Sequence, residues 1–501
     1  MKVKRELGLF DAVMMGLSGA IGFEIFVLMD YAYFDLAGPD MILALLLGGL
    51  INLLIMFSYS ELGATIPEIG GEYTYAKAAY GGLVAFISGC LRWLASVFGA
   101  SLAALTFAYQ LLYLFSKVAP LAETFISTQI PLIAIIVTIV MANINVRGVK
   151  KVGIMIVTAF LAIFAIFLVG GLSRGLIPPE VFRKPPIEGF SGIFSATAYV
   201  FPMFFGMRAL IAGAAQIKDP EKNVPRAMLL SALLIVPLYL SIAYVAIGVS
   251  PGARPLLNLA AEEVMGEIGG VRIGGILFAV AVMVASLSAL GTSITVQSSI
   301  ARGMSRDGYL PKILLSVHRR FKTPHVAIIA GSLFVMFLSA IQATEFLGYA
   351  ASFGSILVFA LVNLSLMKLR KKRPYMKKAF RTPLYPVTPI AGLIMAFVLL
   401  AFPMFLRDAN AITALMSGVG LMVLVLATYH LRMVGRYRVQ IALGGISLGI
   451  GSFTGLLTYL IEIKFIPLAL PRISLYILIF VSVVSILAGA LNVSIQTRKT
   501  F

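Results

Sequence analysis

The chain has 501 residues, of which 60% are hydrophobic and only 12% charged, against about 25% charged in an ordinary soluble domain. So little charge cannot cover a water-soluble protein of this length, and no polar stretch is long enough to form a separate soluble domain. The net charge of +19 would suit nucleic acid if it were gathered on one face, but the basic residues sit in short segments between apolar blocks.

Met1–Glu6 is basic and precedes an apolar run, as in a signal peptide. That run is long, contains Glu24 and lacks a small-residue cleavage site, so it reads as a retained first helix. Apolar blocks of the roughly 17–25 residues needed to cross a bilayer then recur along the chain. They predict fourteen helices, at about 8–34, 41–66, 82–116, 127–145, 149–174, 190–217, 226–249, 272–303, 324–342, 345–368, 386–406, 409–430, 438–461 and 472–494. The fold class expected is an all-α polytopic membrane protein with both termini on one side. The single cysteine, Cys90, excludes an internal disulfide framework.

The basic residues test that count. With the N-terminus inside, 29 of the 40 Lys and Arg fall in inner segments, nine in outer ones, and Arg92 and Arg208 within helices. The inner set includes six residues between helices 8 and 9 (Arg302, Arg306, Lys312, Arg319, Arg320 and Lys322) and eight between helices 10 and 11 (Lys368 to Arg381). This excess follows the positive-inside rule and a miscounted helix would scramble it.

No phosphate loop of the form G-x-x-x-x-G-K-[ST] is present, and His318, His325 and His430 lack metal-ligand spacing to Cys or carboxylates. Neither ATP-driven transport nor enzyme chemistry has support, and no cofactor or metal is implied. The informative features are two interrupted helices. Helix 1 carries Gly16, Ser18, Gly19, Gly22, Phe23 and Glu24; helix 6 carries Tyr199, Phe201, Pro202, Phe205, Gly206 and Arg208. Glycine and proline free backbone groups near the membrane middle, where they are tolerated only if buried or lining a cavity. Half-helix N-termini then offer N–H groups to a carboxylate and freed carbonyls accept from an ammonium, which suits a zwitterion. Gly16, Gly19 and Gly22 also fit a plain helix-packing face. The five-helix spacing of the two breaks fits inverted repeats of helices 1–5 and 6–10.

Four stretches carry a family resemblance: Ser60-Glu-Leu-Gly-Ala-Thr-Ile-Pro-Glu-Ile-Gly-Gly-Glu-Tyr-Thr-Tyr75, Lys218-Asp-Pro-Glu-Lys-Asn-Val-Pro-Arg226, Ser305-Arg-Asp-Gly-Tyr-Leu-Pro311 and Phe380-Arg-Thr-Pro-Leu-Tyr-Pro386. In order and spacing the chain resembles the amino acid–polyamine–organocation transporters, most closely their cationic-amino-acid-transporter-like branch, over roughly residues 8–390. The resemblance implies a ten-helix inverted-repeat (LeuT-like) core over 1–371, with helices 11–14 in 372–501 serving packing or oligomerisation. It places substrate between broken helices 1 and 6 and helices 3, 8 and 10. The corresponding substrate-site positions are Ser18, Gly19, Gly22, Phe23, Glu24, Ser96, Tyr199, Phe201, Phe205 and Gly206.

The chain departs from the family pattern in charge. Gly22-Phe23-Glu24 stands where relatives carry a Gly-Ser-Gly-like triplet, Arg208 follows Gly206-Met207, and Arg92 lies in helix 3. A charge at the bilayer middle costs about 2.5–3.5 kcal/mol on insertion scales, so Glu24, Arg92 and Arg208 are expected to form gating ion pairs or to contact substrate. Glu24 also fits a contact with a substrate ammonium or a protonatable coupling site. Coupling to H+ or Na+ stays open. Helix 5 has no lysine, while Ser286 and Ser288 on helix 8 are candidate sodium ligands unless they bond the preceding turn.

The function expected is a secondary active transporter (permease) moving amino acids across the cell membrane by alternating access, with both termini cytoplasmic. An amine or polyamine exchanger or importer competes, favoured by Glu24 and opposed by Arg208. A non-transporting sensor on the same fold is the third class. Cysteines introduced singly by Arg174→Cys and Lys371→Cys should react with an impermeant thiol reagent from opposite sides of the membrane; same-side labelling would overturn the helix count.

Overall fold

The computed structural model describes residues 7–66, 70–118, 128–148, 153–173, 189–205, 217–249, 254–268, 271–372, 380–406, 408–433 and 472–497, together with 210, 252 and single positions between 447 and 461. The first predicted helix is broken into α1 (Leu9–Ala20) and α2 (Glu24–Tyr31), followed by a π-helical turn at Ala32–Ala37. Then come α3 (Met41–Thr65), α4 (Glu72–Tyr80), α5 (Gly82–Val118), α6 (Ile130–Arg147) and α7 (Gly153–Leu172). The sixth predicted helix is α8 (Gly189–Val200), which tightens to a 3-10 turn at Phe201–Phe204. Next are α9 (Pro220–Val249), α10 (Leu256–Met265), α11 (Ile273–Arg306), α12 (His325–Ala340) and α13 (Thr344–Lys372). The chain continues through α14 (Val387–Phe405), α15 (Ala409–Met433) and α16 (Arg472–Thr497). Of the thirteenth predicted helix, 438–461, only single positions are described.

Six helical stretches among the described residues are long and apolar enough to cross a membrane: Glu24–Thr65, Gly82–Lys117, Ile130–Arg147, Pro220–Val249, Ile273–Arg306 and Thr344–Lys372. Shorter apolar helices accompany them. Large apolar side chains face outward in rows, such as Leu132, Ile136, Ile139 and Val140 on α6 or Leu333, Phe334 and Phe337 on α12. Water would penalise such rows and lipid does not. The chain is a multi-pass membrane protein. The expected all-α class holds apart from a two-residue antiparallel pair, Glu267–Ile268 with Val271–Arg272, and a bridge between Leu7 and Ile217.

Packing sorts the helices into two groups. In one, α9 lies along α3 and α1, and α8 lies on α3; in the other, α5, α6, α11 and α12 pack on one another. α13 touches both groups, and α7 runs from α1 and α9 across to α11. Lipid supplies no hydrophobic drive for helix association, so close approach at small residues matters. At Gly16 an added Cβ would stand 2.9 Å from Ser231 Cβ, and Ser231 Oγ donates to Val13 O at 3.2 Å. The packing reading of Gly16 therefore holds.

Two helices were missed because they are too short to span: α4, after α3, and α10, after α9. Near the end of α3, Glu61 accepts from Arg370 Nε at 2.8 Å and from the Thr382 N–H at 2.7 Å. Arg370 also lies 4.0 Å from the Tyr385 ring centroid. The carboxylate thus ties α3, α13 and the approach to α14, and its side chain is only 2% exposed. Glu61→Gln should leave Arg370 facing a neutral amide and cost about 3 kcal/mol, read as a lower melting temperature of the detergent-solubilised protein.

Candidate functional site

The two helix breaks meet. α1 stops at Ala20, Ile21 turns into extended conformation (φ −74°, ψ 94°), and the chain re-enters a helix at Glu24. α8 stops at Val200; Pro202, which has no N–H to give, sits in the tighter turn, and the Phe205 N–H closes on Pro202 O at 3.0 Å. Each break strands backbone carbonyls inside the apolar region. Tyr239 of α9, fully buried, presents its hydroxyl to both: Ala20 O at 2.6 Å and Met203 O at 3.1 Å. One hydroxyl proton is shared between two acceptors from different helices.

Aromatic rings surround the breaks. Tyr199 lies 4.8 Å from both Tyr31 and Tyr349, centroid to centroid. Phe201, Phe205 and Phe359 form a second cluster, with Phe205 and Phe359 4.7 Å apart. Tyr31 and Tyr349 donate to Asp408 at 3.2 and 2.8 Å. The Tyr199 hydroxyl is buried without a hydrogen-bond partner, and a Cβ on Gly348 would stand 2.8 Å from it. A buried hydroxyl with no partner among the described residues is costly, so Tyr199 has unused hydrogen-bonding capacity beside the breaks.

Beyond these tyrosines, hydrogen bonds and ion pairs join the helices. The Leu256 N–H donates to Asp30 Oδ1 at 2.9 Å, and Arg254 pairs with Asp30 and Asp35. Asn258 Nδ2 donates to Gln110 Oε1 at 2.9 Å, and Glu262 takes Lys117 at 2.7 Å together with the Tyr113 hydroxyl. α10 is thereby fastened to α2 and α5. At the opposite end a cavity of about 420 Å³ lies between the start of α4, α5 and α11, lined in part by Glu72, Arg92, Ser299, Arg302 and Arg306. At its edge Asp307 holds Lys77 at 2.6 Å and accepts from Tyr73. Burial alone pushes the Asp307 carboxyl up, but the Lys77 ammonium and Tyr73 hydroxyl outweigh it and hold it below the usual carboxylate value.

The sequence expectations fare unevenly. Arg92 does form a buried ion pair, but with Glu72, at 3.5 Å, and not with Glu24. Tyr59 adds its hydroxyl to Glu72 at 3.2 Å. Ser96 accepts from Arg92 Nη1 at 3.1 Å and donates to Arg92 O at 2.9 Å, so it orients Arg92. Glu24 opens α2, and its Oε2 folds back over Gly22, where an added Cβ would collide with it. Phe23, Tyr199, Phe201 and Phe205 are all buried around the breaks. Ser286 Oγ donates to Val282 O at 2.8 Å, the preceding-turn bond, while Ser288 is half-buried. Gly206 and Arg208 lie outside the described residues, as do the side-chain positions of Ser18 and Gly19. Tyr239, Glu72, Asp408 and Tyr349 escaped sequence reading. Tyr239 alone left a signal, as a hydroxyl two residues after Pro237 in an apolar helix.

Comparison with known proteins decides the family. A model described as amino acid permease matches residues 7–429. The chain belongs to the amino acid permease family. It is 28% identical to a branched-chain amino acid permease of Bacillus subtilis, over 79% of this chain and 87% of that protein. A methylthioribose transporter of the same organism is 29% identical over 79% and 88%. The vacuolar cationic amino acid transporter 2 of Arabidopsis thaliana is 26% identical over 74% and 61%. The permease match spans both breaks, Tyr239 and the residues that line the cavity, which we call the vestibule. It ends at Tyr429, beyond the helices expected to form the repeat core.

Tyr239→Phe keeps the ring and removes the donor that, among the described residues, the two breaks share. It should cost about 1–3 kcal/mol through the unpaired carbonyls, lowering the melting temperature, and should reduce uptake more than a distant substitution of equal destabilisation. Uptake that tracks stability alone would make Tyr239 a packing residue.

Proposed function

We propose that this permease is a secondary active transporter carrying amino acids across the cell membrane by alternating access, with its substrate bound where the two helix breaks meet. The observation that carries the reading is the shared Tyr239 hydroxyl, which holds Ala20 O and Met203 O side by side. Freed backbone at membrane depth is tolerated where it lines a cavity, and it supplies the donors and acceptors a zwitterion needs.

The architecture we infer is a ten-helix core of two inverted five-helix repeats followed by four further helices. Its support is that prominent packing contacts join elements five predicted helices apart, α3 with α9 and α5 with α11. We further infer that both termini are cytoplasmic, from the distribution of basic residues. The vestibule then faces inward, the α10 end faces outward, and the state described is closed to the outside.

Within the site, the first turn of α2 is the position a helix dipole offers to a carboxylate, and Glu24 is already there. We infer that the bound zwitterion turns its ammonium toward Glu24 and Ala20 O, with Tyr199 completing the polar contacts. Phe201, Phe205 and Phe359 supply an apolar wall, and two branched-chain amino acid permeases, of Bacillus subtilis and Lactococcus lactis, are among the relatives. Apolar amino acids are therefore the substrates we favour. Glu24 equally favours an amine, which keeps an amine or polyamine carrier as the second reading.

Purified protein in liposomes, offered labelled leucine, alanine, arginine and putrescine with and without sodium or pH gradients, tests both. Leucine uptake dependent on one gradient supports the first reading. Putrescine uptake with no amino acid uptake would replace it by the second, and uptake of neither would return the chain to the sensor class.

A further inference from the structure

The vestibule has a charge balance that the helix breaks do not explain. Its described lining carries three guanidinium groups, Arg92, Arg302 and Arg306, and one carboxylate, Glu72. Glu72 is committed to Arg92. Asp307, next to Arg306 in the chain, is committed to Lys77 and Tyr73. Arg302 and Arg306 are four residues apart on α11 and so share one helix face. The Arg302 Nε is buried and makes no hydrogen bond to a described residue. A guanidinium N–H removed from water and left without an acceptor is costly, and a planar guanidinium is the group best shaped for a carboxylate.

We propose that the vestibule is a carboxylate subsite on the release path. Arg302, with Arg306 one turn further along α11, takes the carboxylate of the transported amino acid between the helix breaks and the water beyond. The assignment rests on the amino acid reading above and deepens it. An amino acid whose ammonium is held at Glu24 presents its other end to these arginines as it leaves. A plain amine offers them nothing and meets an excess of positive charge among the described lining residues, so the vestibule selects for carboxylate-bearing solutes. A cleft lined by one sign of charge raises the local concentration of the opposite sign by about 10–10³, and the net excess of guanidinium here, offset by Glu72, puts the vestibule toward the low end of that range. The cavity, about 420 Å³, has room for a single amino acid.

Ser299 lines the same cavity and is exposed, which allows a test that needs no substrate. In a Cys90→Ala background, the Ser299→Cys thiol should react faster with a sulfonatoethyl methanethiosulfonate than with its trimethylammonium counterpart. The expected preference is about tenfold or more at low salt, after correction for each reagent's rate with a free thiol. Arg302→Gln and Arg306→Gln should each cut that preference severalfold. Arg306 is exposed, so its variant tests the idea even where Arg302→Gln fails to fold. A cationic reagent reacting as fast in the parent, or a preference unchanged in Arg306→Gln, overturns the proposal. The amino acid best taken up in the liposome panel should slow labelling, and its decarboxylated amine at equal concentration should not. Equal protection by the amine, or by inorganic phosphate, removes the assignment to substrate carboxylate. If no amino acid is transported, the functional reading falls, while the reagent ratio still decides the vestibule's preference for anions.

Discussion

A carbonyl freed inside hydrocarbon has no water to turn to, and the Tyr239 hydroxyl is where one from each broken helix finds its donor. Everything at the centre depends on that constraint. α1 and α8 can stop mid-membrane because α9 brings a donor to where they stop. The tie also fixes their separation, since both carbonyls must lie within hydrogen-bond reach of one oxygen. α9 in turn is held along α1 and α3, so the geometry of the breaks is set by a helix that is itself unbroken. Had each break been satisfied by its own donor, the two could drift apart at little cost.

The two ends of the bundle are built from different chemistry. At the α10 end, carboxylates of α2, the π-helical turn after it, α10 and the start of α15 collect N–H, hydroxyl, ammonium and guanidinium donors: Asp30, Asp35, Glu262 and Asp408 each accept from another element. On the alternating-access reading such ties hold this end shut, and water can replace them one at a time when it opens. Asp408 has a double task. Its Oδ1 caps α15 through the Asn410 N–H at 2.9 Å, while Oδ2 takes Tyr31 and Tyr349. A residue beyond the expected ten-helix core thus holds two of the three tyrosines that stack beside the breaks, which gives the later helices a mechanical link to the site. At the vestibule end the charges are paired across the mouth, Arg92 with Glu72 and Lys77 with Asp307, around an open cavity.

Hydrophobic runs made most spans legible to within a few residues, because length and apolarity are local properties. The breaks were legible for the same reason: glycine and proline act on their own backbone. α4 and α10 were not, since neither is long or apolar enough to stand out from a loop. Partners were harder still. Tyr239 and Ala20 are 219 residues apart, and Tyr31 and Asp408 are 377 apart. The cost of a mid-membrane charge pointed to pairing or a substrate contact for Arg92, but cost does not name the partner. Glu24 was the carboxylate in view; Glu72, within a motif read only for family resemblance, turned out to be the one in reach.

Glu24 poses the sharper question, because it occupies the first turn of α2, where a negative charge is favoured. The first turn of α2 presents N–H groups and the positive end of the dipole, worth about 0.3–1 kcal/mol to a negative charge in exposed settings and more when partly buried. A second carboxylate brought to the same turn would meet Glu24's charge at close range in a medium where screening is weak, and that repulsion exceeds what the dipole returns. A proton on Glu24 would lift the repulsion, and in doing so would couple binding to pH. An ammonium at the same place needs no proton, gains from both Glu24 and the Ala20 carbonyl, and leaves the solute's own carboxylate for the arginines of the vestibule. On the reading proposed above, the charge introduced at Glu24 and the charge excess at Arg302 and Arg306 are two sides of one arrangement, in which the zwitterion binds with its ammonium toward α2.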